Sequence, residues 1–211
     1  MKEFMIVSLN VGRMKEYHKR DDTFRFLRSL KAQIICIQEH NCPEEEQTKW
    51  EKEWEGKIYW STYTATLLSS NLCAINIQSS ARGRILQTDI TIDNTTVTIT
   101  NIYSPSYTTE KRQFYRDFPD LQVQPFHIVV GDLNIYPDGS LDHTPPGKFS
   151  PHLWNMLTAS QPGLTDLVRY FNPEGHITTQ TQKVGTHLIQ TRIDHILVSD
   201  AALQIASKLN I

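Results

Sequence analysis

Acidic, amide and phenol side chains recur at one kind of place in this sequence, where a short apolar run that predicts a buried strand begins or ends. A strand end is rigid and can hold a side chain at the mouth of a site. Carboxylates and carboxamides provide the hard oxygen ligands and the hydrogen-bond donors that suit Mg²⁺ or Mn²⁺ together with phosphate oxygens. The pattern therefore indicates metal-assisted chemistry on a phosphate ester. The residues that carry it are Asn10, Glu39, Tyr103, Asp132, Asn134 and Asp194.

Each of these residues, taken alone, has an ordinary structural explanation. Asn10 could simply end a strand, and Glu39 could be a solvated loop acid. Tyr103 could be a half-buried core tyrosine, and Asp194 could pair with Arg192. Together they occupy the ends of five separate apolar runs, which is hard to explain by chain punctuation alone.

Elements of two kinds must position these side chains. Alternation and apolar runs predict strands over 4–9, 34–38, 58–64, 72–78, 83–92, 95–103, 126–130 and 191–198. Helical spacing predicts helices over 22–30, 43–54, 109–118 and 153–159, and a short helix or the start of a strand over 201–209. The polar stretches 138–151 and 172–186 are predicted to be loops that bear site residues. Buried strands mixed with hairpins indicate two packed sheets with helices outside them.

The composition narrows the class of protein. Of the 211 residues, 39% are hydrophobic and 21% are charged, which is typical of one globular domain. No apolar run approaches the roughly 20 residues of a membrane-spanning helix. Three cysteines without metal-binding or redox spacing favour a reducing compartment, so we expect an intracellular protein without a membrane partner. The net charge of -2 excludes a broadly basic nucleic-acid coat but allows a local phosphate-binding surface.

The order of these motifs resembles the endonuclease/exonuclease/phosphatase family, which includes deoxyribonuclease-I-like enzymes. The resemblance rests on three segments, which are Gln38-Glu39, Gly131-Asp132-Leu133-Asn134 and Arg192-Ile193-Asp194. Within the family the chain is most similar to the endonuclease domain of LINE-type (non-LTR) retrotransposons, through the segments 101–106, 164–169 and 192–197.

This resemblance implies a four-layer α/β/β/α sandwich, in which two packed mixed sheets are flanked by helices over residues 1–211. It implies a Mg²⁺-dependent (or Mn²⁺-dependent) DNA endonuclease that nicks target DNA for retrotransposition. The expected partner is DNA. The expected setting is a monomeric domain of a larger polyprotein, in the nucleus if the protein belongs to a retrotransposon.

The resemblance also implies roles for the residues that would meet the metal and the substrate. Glu39 would be the principal metal ligand, with Asn10 beside it. Tyr103 would contact the scissile phosphate, together with Asn10. Asn134 would hold that phosphate or the attacking water, and Asp132 would orient or deprotonate the water.

Two further positions follow from the resemblance. Thr179, or alternatively Thr181, would line the DNA groove. Asp194 would orient a catalytic histidine, because a carboxylate fixes the tautomer of an imidazole and supports its charged form. His195 is predicted to be structural instead, because neighbours in a strand point to opposite faces.

The sequence departs from the family's pattern near Asp194. The family carries a Ser-Asp-His motif on a strand shortly after this position, whereas here Ser199-Asp200 is followed by Ala201. We therefore expect the domain to lack its last core strand and its activity to be impaired. Two other functions stay open, which are a phosphoesterase of the same family that acts on a small molecule or lipid, and an inactive remnant that binds nucleic acid.

Overall fold

The computed structural model of the chain describes residues 4–121, 124–145 and 151–206. Its strands are β1 Ile6–Asn10, β2 Ile34–Gln38, β3 Gly56–Trp60, β4 Thr64–Ser69, β5 Ala74–Ser80, β6 Ile85–Ile92, β7 Thr95–Tyr103, β8 Phe126–Asp132, β9 His143–Thr144, β10 Leu164–Asp166, β11 Gln180–Val184, β12 His187–Thr191 and β13 Asp194–Ser199. Its α-helices are α1 Tyr17–Ser29, α2 Gln47–Glu51, α3 Thr108–Arg116, α4 His152–Ser160, α5 Leu167–Phe171 and α6 Asp200–Leu203. No helix in these ranges is long and apolar enough to cross a membrane.

The strands form two large sheets and one small one. The first sheet has the order β1-β2-β4-β3, and the second has the order β10-β13-β8-β7-β6-β5. Each large sheet contains one parallel pair, β1 with β2 and β7 with β8, and is otherwise antiparallel. A third, small sheet has the order β11-β12-β9. Both large sheets are therefore mixed, as the family resemblance implied.

Neighbouring residues on the central strands are buried on opposite sides, and this produces four layers. On β2, Cys36 packs into the core between the sheets, whereas Ile35 packs with the apolar residues of α1 and α2. On β8, Val130 packs into the core between the sheets, whereas Val129 packs with α3 and α4. Because β2 and β8 are covered on both faces, their sequences are mostly apolar. The predicted α/β/β/α sandwich is confirmed.

Two local predictions were wrong, and a third was confirmed only in part. The segment 58–64 was predicted as one strand, but β3 ends at Trp60 and a new central strand, β4, begins at Thr64. The threonines of β4 are buried without giving an apolar pattern, so the strand has no clear sequence signal. The helix predicted over 43–54 is present as a 3₁₀ turn followed by the short helix α2, whereas the stretch 172–186, predicted to be a loop, contains β11. The predicted element over 201–209 is the helix α6, and its residues beyond 206 lie outside the described part of the chain.

A buried asparagine on β7 connects the two large sheets. Asn101 is 0% exposed, and its Nδ2 donates to the carbonyl oxygens of Ile37 at 3.1 Å and Ala65 at 3.0 Å in the first sheet. Its Oδ1 accepts a hydrogen bond of 2.7 Å from Nε2 of Gln38. Buried amides require such partners. These bonds therefore fix β2 against β7 directly below the ends of both strands.

We expect Asn101→Ala to lower the free energy of unfolding by about 2–4 kcal/mol, because buried polar groups on both sheets lose their partner. Urea unfolding followed by circular dichroism measures the change. Asn155→Ala removes the same side chain at an exposed position of α4, and we expect a loss below about 0.5 kcal/mol there. Equal stability of the two variants would contradict a bridging role for Asn101.

Candidate active site

The register of the second sheet places three of the predicted residues side by side. Tyr103 pairs with Asp132, and Asp132 pairs with Asp194. Neighbouring strands lie about 4.8 Å apart, so the three side chains form a row at one edge of the sheet. In the first sheet, Asn10 ends β1 and Glu39 directly follows β2. The strand ends predicted from the sequence therefore meet, and they do so from both sheets.

Asn10 joins the acids of the two sheets. Its Nδ2 donates to Oε1 of Glu39 at 2.9 Å and to Oδ2 of Asp132 at 3.0 Å. Its Oδ1 accepts a bond of 3.0 Å from the backbone N–H of Gly12, which orients the amide. Two carboxylates from different sheets thus converge on one nitrogen atom.

Glu39 occupies a backbone conformation that is uncommon for its residue type. Its φ is 57°, in the left-handed region, where a side chain with a Cβ is strained. Two backbone hydrogen bonds hold it there. Its N–H donates to the carbonyl oxygen of Tyr63 at 2.9 Å, and its carbonyl oxygen accepts from the N–H of Arg13 at 2.8 Å. Burial, followed by the neighbouring carboxylate of Glu39, raises the pKa of Tyr103.

A tight turn after β8 presents Asp132 and Asn134. Gly131 has a φ of 137°, and a Cβ at this position would lie 2.0 Å from the oxygen of Ile102, so only glycine allows β7 and β8 to approach. The N–H of Asn134 donates to Oδ1 of Asp132 at 3.1 Å. The Asn134 side chain donates through Nδ2 to the oxygen of Ser104 at 2.9 Å, with the backbone at a φ of 51° that asparagine tolerates.

Negative charge accumulates around Asp132. Burial, and then the charge of Asp194, raises the pKa of Asp132 to about 7, although hydrogen bonds from Asn10 and Asn134 oppose the shift. Burial also raises the pKa of Asp194. Lys111 stands nearby and donates from Nζ to the oxygen of Asn134 at 2.7 Å. Burial lowers the pKa of Lys111, whereas the charge of Asp132 opposes this. The cluster therefore favours the binding of positive charge.

Thr179 lies at the end of the row. Its Oγ1 accepts hydrogen bonds from the backbone N–H groups of Ile193 and Asp194, each at 3.1 Å, and the Thr179 side chain opposes the rise in the pKa of Asp194 that burial causes. Thr181 is exposed on β11, where its oxygen lies 3.5 Å from Nε2 of Gln190. Of the two threonines considered from the sequence, Thr179 therefore contacts the candidate site.

His195 points away from the acids, as predicted. It is 1% exposed, its Nε2 donates to the oxygen of Ile135 at 2.7 Å, and its Nδ1 accepts from Nη1 of Arg192 at 3.1 Å. Burial lowers its pKa to about 4, so the ring is neutral at physiological pH. The interpretation of His195 as a structural residue is confirmed.

A buried ion network behind the row includes an acid that the sequence did not single out. Arg192 donates to Asp142 from Nε at 2.6 Å and to Asp166 from Nη2 at 2.8 Å, and Arg169 also binds Asp142. Arg192 therefore does not pair with Asp194, contrary to the simple structural alternative. Asp142 lies in a polar loop sequence without regular spacing, so no pattern marked it.

The convergence of Glu39 and Asp132 fits a hard divalent cation. No group of three or more histidine, cysteine, aspartate or glutamate side chains gathers closely enough to hold a metal within the described ranges. Mg²⁺ commonly uses only one or two carboxylates, with water and substrate phosphate oxygens as its other ligands. The oxygen of Asn10 is directed at Gly12, so direct coordination by Asn10 requires its amide to turn over and stays a prediction.

Comparison with known protein families gives one match that spans most of the chain. The model described as "Endonuclease/Exonuclease/phosphatase family" matches residues 7–210. Among curated proteins, the chain is 24% identical over 206 residues to the "Transposon TX1 uncharacterized 149 kDa protein" of Xenopus laevis. The alignment covers 92% of this chain but only 16% of that protein, so the chain spans about a sixth of the relative's length.

Solved structures share the fold at low sequence identity. An AP endonuclease from Archaeoglobus fulgidus superposes with a TM-score of 0.71 at 14% identity, with 96% of this chain and 89% of that chain covered. The endonuclease domain of TRAS1, a telomere-specific non-LTR retrotransposon, has a TM-score of 0.62 at 15% identity, with 97% and 89% covered. D. rerio TDP2 complexed with single-strand DNA product has a TM-score of 0.65 at 14% identity, with 93% and 84% covered.

We expect Asp132→Asn to stabilise the chelator-treated protein progressively, relative to the parent, as the pH rises from about 4 to about 7. The pKa of folded Asp132 is raised to about 7. The parent's folded state therefore binds the proton more tightly than its unfolded state, and this stabilisation is lost as the pH rises. Asparagine does not titrate. The upper limit of the relative change is roughly 4 kcal/mol.

Urea unfolding of parent and variant at a series of pH values measures this difference, and the titrations of groups that do not interact with Asp132 cancel in the comparison. Asp120→Asn, which makes the same substitution at an exposed position, is the matched control. A parent-minus-Asp132→Asn difference that is constant from pH 4 to pH 8 would exclude a raised pKa for Asp132.

Proposed function

We propose that this chain, which belongs to the endonuclease/exonuclease/phosphatase family, is a divalent-metal-dependent DNA endonuclease that acts at the cluster of Asn10, Glu39 and Asp132. One observation carries the proposal. The carboxylates of Glu39 and Asp132 come from different sheets and converge on the amide nitrogen of Asn10, at 2.9 and 3.0 Å. A pair of converging carboxylates, with a raised pKa on one of them, suits the hydrolysis of a phosphodiester.

Similarity to mobile-element proteins supports DNA as the substrate. The curated relative is named as a transposon protein, and one structural neighbour is the endonuclease domain of a non-LTR retrotransposon. The finer proposal is that the domain nicks target DNA during retrotransposition as part of a larger polyprotein. The small share of the transposon protein that the chain covers, 16%, is consistent with a domain of such a polyprotein.

The residues have separate tasks in the proposed reaction. Glu39 would be the principal ligand of Mg²⁺, with Asn10 beside it, and the ion would stabilise the negative charge that develops on the phosphoryl oxygens. Asp132 orients the attacking water and accepts its proton, and a pKa of about 7 suits a general base near physiological pH. The Tyr103 phenol, which lies beside the Glu39 carboxylate, contacts the scissile phosphate, while Asn134 holds that phosphate or the water.

Asp194 acts on the proposed general base through its charge. Among the described residues no histidine is hydrogen-bonded to Asp194, and its neighbour His195 bonds Ile135 instead. The negative charge of Asp194 raises the pKa of Asp132. A histidine beside these acids would add general acid–base assistance of typically about 10²- to 10⁴-fold. We therefore expect slow but metal-dependent nicking.

We expect Glu39→Ala and Asp132→Ala each to slow the nicking of supercoiled plasmid in Mg²⁺ by about 100-fold or more, because each removes a carboxylate from the cluster. Gel separation of supercoiled and nicked plasmid over time measures the rate. Glu45→Ala deletes an exposed acid of the 3₁₀ turn before α2 and should nick at the parental rate. A chelator should stop the reaction of the parent.

Equal nicking by the parent and both site variants would sink the proposal, since the activity would then come from elsewhere. A parent that hydrolyses a small-molecule or lipid phosphodiester but leaves plasmid intact would move the assignment to the phosphoesterases of the family. A parent that binds DNA but hydrolyses neither substrate would identify the chain as a nucleic-acid-binding remnant.

A further inference from the structure

The row of site residues on the second sheet continues to an arginine that the proposed mechanism does not use. Arg84 directly precedes β6, whose first residue Ile85 pairs with Ile102, and the carbonyl oxygen of Arg84 accepts the N–H of Tyr103 at 2.8 Å. Neighbouring strands are about 4.8 Å apart, so Arg84 stands about 10 Å from the strand that carries the proposed general base. The order across the sheet edge is Arg84, Tyr103, Asp132 and Asp194.

Aromatic rings hold the guanidinium of Arg84. Its Cζ lies 4.3 Å from the ring centroid of Tyr63 and 5.2 Å from that of Tyr103. Its Nη1 donates to the backbone carbonyl oxygen of Tyr103 at 3.3 Å. A guanidinium that stacks on aromatic faces keeps its N–H donors in the plane of the group, where they can reach a planar or tetrahedral oxyanion. The side chain is thus positioned without being neutralised.

Arg84 makes no salt bridge within the described part of the chain. The arginines that do form ion pairs there are Arg20, Arg25, Arg169 and Arg192. Arg84 is only half-buried, so water reaches its unpaired donors. Lys111, the other cation near the acids, is already bonded to the oxygen of Asn134. The guanidinium of Arg84 is therefore available to an anionic ligand, and arginine binds phosphate oxygens through strong charge-assisted bonds.

We propose that Arg84 binds a backbone phosphate of the DNA strand that is cleaved, on the Tyr103 side of the scissile phosphodiester. The strand then runs along the row, with its reacting phosphate beside Asp132 and a neighbouring phosphate beside Arg84. The nature of the ligand rests on the proposed function, whereas the position of the cation rests on the sheet register and on the ring contacts of Arg84. Arg84 is a substrate-binding residue in this arrangement, and it takes no part in proton transfer.

The salt dependence of DNA binding tests this assignment without turnover. A fluorescent duplex is titrated with the full chain in chelator over a series of KCl concentrations. Arg84→Ala should reduce the slope of log K against log salt by about 0.9, the value for one lost phosphate contact on a duplex, and should weaken binding about tenfold at low salt. Arg84→Lys keeps the charge but loses the planar fork, so it should keep most of the slope and bind less tightly than the parent.

Arg116→Ala is the matched control, because it removes the same charge from an exposed position near the end of α3. It should leave the slope unchanged. An Arg84→Ala slope equal to that of the parent would overturn the assignment, as would equal losses in Arg84→Ala and Arg116→Ala. Should the alanine variant fail to fold, Arg84→Gln, which keeps a planar polar group, carries the same expectation.

A second experiment identifies the phosphate that Arg84 contacts, on a duplex whose nick position has been mapped. Single phosphates on either side of the scissile bond are replaced by uncharged methylphosphonates. At the position that Arg84 contacts, the replacement should weaken parental binding about tenfold but have no further effect on Arg84→Ala. Losses that add at every position contradict a direct contact.

The two proposals fail separately. A parent that nicks plasmid, with Glu39→Ala inactive and the Arg84→Ala slope unchanged, leaves the endonuclease function standing and removes only the role of Arg84. A lowered slope in Arg84→Ala without any nicking retains the phosphate contact and removes the catalytic function.

Discussion

The candidate site is assembled from two sheets, so it exists only while those sheets keep a fixed offset. Apolar packing between sheets is non-directional and sets such an offset loosely. The amide of Asn101 is directional, because it donates from β7 to two carbonyl oxygens of the first sheet and accepts from Gln38. This bridge joins the last two residues of β2 to a residue two positions before Tyr103, the last residue of β7. The polar atoms buried in the sandwich thereby determine where Glu39 meets Asp132.

With the two sheets fixed, the site contains a strained backbone position at Glu39 and a buried acid at Asp132. Glu39 is held in the left-handed region by bonds to Tyr63 and Arg13, and Asp132 is buried among acids. Each feature opposes folding by a small amount, and backbone outliers of this kind concentrate where a geometry is needed for function. The amide of Asn10 satisfies both carboxylates in part, since one N–H points to each. It relieves repulsion without adding charge, which leaves the attraction for a cation intact.

The positions of the site residues were predictable because an apolar run gives way abruptly to polar residues at each strand end, as at Gly131-Asp132. The mixed sandwich followed from the same runs together with the family resemblance. β4 was missed because buried threonines on a central strand look polar in sequence, although their hydroxyls are enclosed. Arg84 and Asp142 were missed for another reason. Their roles depend on register between strands that are distant in the chain, and nothing in the local pattern of an arginine or an aspartate reports its partner.

The two kinds of arginine at this site show how burial decides what a cation does. Arg192 is 0% exposed and therefore needs Asp142 and Asp166, because an unpaired charge cannot be buried at reasonable cost. A buried pair adds little net stability, since desolvation offsets most of the attraction, so its main consequence is geometric. Arg192 ties a loop and a helix start to the strand that carries Asp194, and its donors are occupied. Arg84 lies against the rings of Tyr63 and Tyr103 at the strand ends of the same sheet. It is half-buried, so water rather than a carboxylate solvates its charge, and a phosphate can displace that water. Arg192 therefore has a structural role, whereas Arg84 is free to bind a ligand, and the difference follows from the exposure of each position.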